Sequence, residues 1–168
     1  MSTGYELLKE TAKDYKQFRK SKLQPAIMKV LDCSYTEAYE LGKTHCNLIS
    51  TWLLLFCYGY ITMDYADFFR YCLNKKFVKT NGYMYITKEK LFEELKLDIK
   101  ITNFNEFPET NESDKKYQVA INKKGHFIAA GTDEEGVIRA FCTHDRLYEG
   151  EISEALKDDT LTWIREWS

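Results

Sequence analysis

The sequence predicts an α+β fold in which N-terminal helices, among them one that begins at a cysteine, pack on a C-terminal antiparallel sheet. Three observations carry this. Apolar residues recur at three- and four-residue spacing up to about residue 95, and from about Ile99 onward they alternate. One run, CNLISTWLLLF at 46 to 56, is apolar enough to be a core helix. At 168 residues with 44% hydrophobic content, the chain can bury such a core as a single domain, 1–168.

The helices follow in order. Tyr5, Leu8, Ala12, Tyr15 and Phe18 share one side of a first amphipathic helix, with Lys9, Lys13, Lys16 and Lys20 on a solvated face. Pro25, tolerated in a first turn, opens a second helix. Ser34 and Glu37 have capping-box spacing before Ala38, Tyr39 and Leu41, and Gly42 stops that helix. The cysteine helix runs from Cys46 to about residue 58. Asp64 caps the next, which buries Tyr65, Phe68, Phe69 and Cys72, and Thr87 opens another through Leu95. Residues 1–42 thus form an N-terminal helical extension, and 43–168 form the core that carries the chemistry.

The polar stretch NEFPETNESDKK, 105 to 116, reads as a long surface loop between the helical and stranded halves and as one flank of a cleft. KITNF, YQVAIN, HFIAAGT and VIRAFC are short strands separated by the turns NKKG and TDEEG. Asp133, Glu134 and Glu135 read as solvated turn charges. Trp163 and Trp167, four apart, predict a final helix or strand over an apolar face.

Charge and cysteine usage narrow the functional classes. A net charge of -2 gives no overall attraction to nucleic acid or anionic lipid, and the only row of lysines reads as a solvated helix face. The first residues, MSTGYELLKETAKDYKQF, lack the apolar stretch of a secretory signal, and the run at 52 to 56 is far too short to span a bilayer. The expectation is a cytoplasmic protein with no membrane partner. Its five cysteines are an odd set without CxxC, which suits free thiols in a reducing compartment. His45 and Cys46 with Cys142 and His144 lack metal-ligand spacing, so no metal and no cofactor are expected.

The placement of Cys46 has a chemical consequence. A thiol attacks as the thiolate, so a working cysteine needs a helix N-terminus or a nearby imidazole to lower its pKa. Of the three histidines, His45 is adjacent in sequence and faces elsewhere on a helix. His126 opens a strand directly after a turn, where the backbone can present it to a facing helix terminus. His144 ends the next strand. The hairpin between them returns Asp145 beside His126, where a carboxylate can hold the imidazole in the required tautomer.

A cysteine opening an apolar helix in the form CNLISTWLLL, followed much later by GHFIAA, a glycine turn, a second strand and an acid, resembles the papain-like cysteine peptidases. The nearest branch is that of the bacteriocin-leader (double-glycine) peptidases and their bacterial and phage relatives. The resemblance spans about residues 40 to 147. It implies an acyl-enzyme mechanism with Cys46 as nucleophile, His126 as general base and Asp145 as orienting group. It also implies an oxyanion hole at the Cys46 N–H, helped by a side chain just upstream. Such peptidases often carry a glutamine there; ELGKTH has none, which leaves Lys43 or Thr44 for that role, with Asn47 facing the substrate. The substrate class implied is a peptide, an isopeptide or a peptidoglycan stem. The alternative is a catalytically silent domain that binds a peptide or a protein in the same groove.

Overall fold

A computed structural model of the chain describes residues 4–141, 143–144 and 150–168. In order, the elements are α1 (Gly4–Asp14), α2 (Leu23–Leu31), α3 (Tyr35–Gly42), α4 (Cys46–Cys57), α5 (Tyr65–Asn74) and α6 (Lys88–Glu94). They are followed by β1 (Ile101–Phe104), β2 (Lys116–Ile121), β3 (His126–Thr132), β4 (Ile138–Phe141), β5 (Gly150–Glu151), the single turn α7 (Ile152–Ala155) and β6 (Leu161–Trp167). The strands form one antiparallel sheet in the order β1-β6-β2-β3-β4-β5. The mixed architecture read from the sequence is the one observed, with α4 packed against β2 and β3.

Helix starts obey local chemistry. The Ser34 hydroxyl accepts from the Glu37 N–H while the Glu37 side chain reaches back to the Ser34 N–H, which forms the capping box. Asp64 and Thr87 cap α5 and α6 in the same way through Asp67 and Lys90. These side chains satisfy N–H groups that a helix leaves without internal partners.

The first helix departs from the expectation. It stops at Asp14, because residues 15–22 find better partners in a loop. Ser21 Oγ donates to the Lys16 carbonyl at 2.7 Å, and the buried Gln24 amide donates to the carbonyls of Lys16 and Arg19. Lys16 is therefore buried rather than part of an exposed lysine row. Residues 4–42 pack into the main core: Tyr5, Leu8, Leu23, Ile27 and Ala38 belong to the same buried cluster as Leu48, Trp52 and Leu55 of α4.

The sheet has two unlike faces. Tyr117, Val119, Ile121, Ile128, Ala130 and Ile164 pack with α7 in a second apolar cluster, remote from α4. Alternation turns Gln118, Phe127, Ala129, Phe141 and Trp167 toward the helices. Trp163 and Trp167 thus lie on one side of a strand, β6. Asp133, expected to be solvated, accepts from the N–H groups of Glu135 and Val137 and from Arg139 Nε at 2.8 Å. It is the anchor of the β3–β4 turn.

Candidate functional site

A cavity of about 690 Å³ opens at the N-terminus of α4, and Cys46 lies in its wall with 8% of its surface exposed. Phe127, the second residue of β3, presents its backbone N–H to the sulfur, as do Asn47 and Cys46 itself, and these donors favour the thiolate. Burial outweighs them and pushes the thiol up from its ordinary value.

His126 is the first residue of β3 and is almost fully buried. Its ring stacks on that of His144 with centroids 3.5 Å apart, and His144 lines the Cys46 cavity. Alternation puts His126 in the row of Ile128 and Ala130, whereas Phe127 faces the helices. Among the described residues, the imidazole that lines the cavity with Cys46 is that of His144, and His126 stacks on it. Asp145 and Cys142 lie outside the described residues.

The remaining predicted residues are also at this end of α4. Lys43 and Thr44 line the cavity, but the Lys43 ammonium lies 2.9 Å from Glu40 Oε1 and the Thr44 hydroxyl donates to the Asn81 carbonyl at 2.6 Å. Asn47 Oδ1 accepts from Lys88 Nζ at 2.9 Å and from Gln118 Nε2 at 3.1 Å. Gln118, fully buried in β2, also donates to Ser50 Oγ at 2.8 Å, so the sheet is pinned to the first turns of α4 by polar contacts. Another glutamine fastens the approach to Cys46. Gln17 donates to the carbonyls of Gly42 and Lys43 and accepts from the Thr143 hydroxyl, joining the loop before Cys46 to the residue before His144.

The second wall of the cavity is not the 105–116 loop. Phe107, Pro108, Glu109 and Thr110 line a separate cleft with Val137 and Ile152. Residues 82 to 84 and 86 to 89 take that place beside Cys46. The reason is a close approach: a Cβ on Gly82, at φ +82, would sit 2.7 Å from the His45 backbone. His45 fixes this loop further. Its Nε2–H donates to the Thr80 carbonyl at 2.9 Å, leaving Nδ1 to accept from the Tyr65 hydroxyl at 2.6 Å. Burial lowers its pKa to about 4, so it is a neutral structural imidazole.

At the third wall, the β2–β3 turn holds Asn122, Lys123 and Lys124 at φ 54, 57 and 66, successive left-handed residues without glycine. Asn122 accepts from the Thr160 N–H and donates to Asp159, which helps to hold this unfavourable backbone. The turn carries Lys124 and Gly125 to the cavity rim just before His126.

Sequence reasoning missed Lys88 and Gln118. Gln118 did leave a signal, as a glutamine inside the apolar strand YQVAI, which must find buried partners. Lys88 left none, because a lysine after a capping threonine reads as an ordinary first-turn residue. Comparison with protein-family models, with curated proteins and with solved structures finds no match.

Proposed function

We propose that this protein is a thiol hydrolase of papain-like layout that cleaves an amide bond in a peptide, an isopeptide or a peptidoglycan stem. One observation carries the reading: a cysteine at the first position of a core helix shares a cavity wall with an imidazole stacked on a second imidazole at the start of the facing strand. In this mechanism the Cys46 sulfur attacks the substrate carbonyl after the His126–His144 pair takes its proton. The imidazolium returns that proton to the departing amine, leaving a thioester on Cys46. Water, activated by the same imidazole, then releases the acid. Asp145 is the orienting group of this scheme. The backbone N–H of Cys46 is the expected oxyanion donor, since the side chains of Lys43 and Thr44 hold Glu40 and Asn81.

The raised pKa of the Cys46 thiol favours a second reading, in which the same groove binds a peptide without cleaving it. Thiol labelling separates the two. In the hydrolase, iodoacetamide modifies Cys46 ahead of the more accessible Cys33, with a rate already level near neutrality and reduced by His126→Asn or His144→Asn. Labelling of Cys46 that lags behind Cys33 and still rises into alkali would leave only the binding groove.

A further inference from the structure

Lys88 is a buried amine in the wall of the Cys46 cavity. Its side chain is only slightly accessible, and its Nζ touches Asn47 Oδ1 at 2.9 Å and Met84 Sδ at 3.6 Å. Neither contact is a counter-charge. Among the described residues no carboxylate lies within ion-pair distance of it. Burying an ammonium without an anion is among the costliest arrangements in a protein interior, so a lysine held this way needs a reason. Its surroundings give one. Arg165 and Lys124 line the same cavity, against the one carboxylate, Glu89, among its described residues. Arg165 is held there by a bond to Asn103 Oδ1 at 3.1 Å and by the face of Trp163 at 4.0 Å. Gln118 fixes Asn47 from below, which in turn fixes the direction of the ammonium.

We propose that Lys88 is the centre of a carboxylate-binding subsite in the Cys46 cavity, with Arg165 and Lys124 at its margin. The ligand is a peptide-like molecule whose carboxylate, from a chain terminus or an acidic side chain, supplies the missing counter-charge. The inference rests on reading this cavity as the substrate groove. It makes that substrate acidic next to the group that reaches Cys46.

Burial lowers the Lys88 pKa to about 7, with Arg165 acting in the same direction and Glu89 and Cys72 opposing. Cys46 and His144 face the same space. A bound carboxylate favours the charged amine, so binding takes up a proton near neutrality and weakens as the solution becomes more alkaline.

The test uses full-length protein carrying Cys46→Ala, so that cysteine chemistry plays no part, and three small probes followed by amide chemical shifts and Trp163 fluorescence. N-acetylglutamine carries only a terminal carboxylate, N-acetylglutamic acid α-amide only a side-chain carboxylate, and N-acetylglutamine amide neither. At least one acid is expected to bind about tenfold more tightly than the neutral amide, and which acid does so identifies the source of the carboxylate. With Lys88→Met added, the preference should vanish and the pH dependence flatten. Lys88→Met removes a buried charge and should unfold at no lower temperature than the parent; Lys88→Gln serves as a second variant. Equal affinity for all three probes, no binding by either acid, or a preference that survives both substitutions overturns the proposal. Labelling of Cys46 in the unmutated protein tests the hydrolase reading separately.

Discussion

The two faces of the sheet are built from adjacent residues of the same strands, yet they solve different problems. On the face remote from α4, Tyr117, Val119, Ile128 and Ile164 make an apolar cluster. Even there the Tyr117 hydroxyl is buried without a hydrogen bond, a cost the packing offsets. On the helical face, Gln118 reaches Asn47, Ser50 and Thr51, while Lys88 and His144 line the cavity that holds the thiol. Apolar contacts are non-directional and tolerate many sequences of similar volume. Polar groups out of water must meet particular partners at particular distances, which confines specific chemistry to the helical face.

That contrast can be broken by substitution. The largest effect belongs to the remote face: Ile164→Ala should cost about 4 kcal/mol in urea unfolding and leave Cys46 labelling in the folded protein unchanged. Altered labelling would mean that the faces are mechanically coupled.

Acid should act on the helical side through His45. His45 is neutral when folded and takes a proton only near pH 4, whereas the unfolded imidazole does so near 6.5. The unfolded state therefore binds more protons between these values. His45's contribution, about 3 kcal/mol, is complete above the unfolded pKa and lost as pH falls through the folded one. An imidazole NMR signal from His45 that titrates at its ordinary value would remove this account.

Gln118→Leu should cost about 2 kcal/mol by leaving Ser50 and Thr51 without this donor and Asn47 Oδ1 with Lys88 alone. It should also change the Cys46 labelling rate, because Asn47 follows the cysteine directly. A loss of stability with unaltered labelling would make this network purely structural. The smallest effect is at Tyr117→Phe, which removes a buried hydroxyl that bonds to nothing and should raise stability by about 1 kcal/mol. A substantial loss there would contradict the view that the remote face depends on packing alone.

What was legible in the sequence divides along the same line. Ser34, Asp64 and Thr87 were readable because each satisfies an N–H three residues away, and β-branched and aromatic alternation marked HFIAAGT as a strand before any contact was known. Cys46 was readable as a helix start because the apolar run begins there, although His45 before it makes no side-chain cap. Lys16 was misread because Ser21 and Gln24 draw the chain out of its helical period. The cleft wall was misassigned because composition marks 105–116 as a loop without saying which cavity it borders. Gly82 approaches the cysteine through a packing contact with His45, far away in sequence. Lys88 owes its importance to Asn47, and no local pattern records that pairing.

Gln17 ties both banks of the groove with one amide group: its nitrogen holds the strand of chain leading to the thiol, and its oxygen holds the threonine beside the outer imidazole. The opening of this molecule is thereby gauged by a residue that need not touch anything bound within it. Shortening that tether by a single methylene, as in Gln17→Asn, would let the banks drift independently, so the width of the mouth is a heritable dimension, adjustable from the opposite end of the polypeptide.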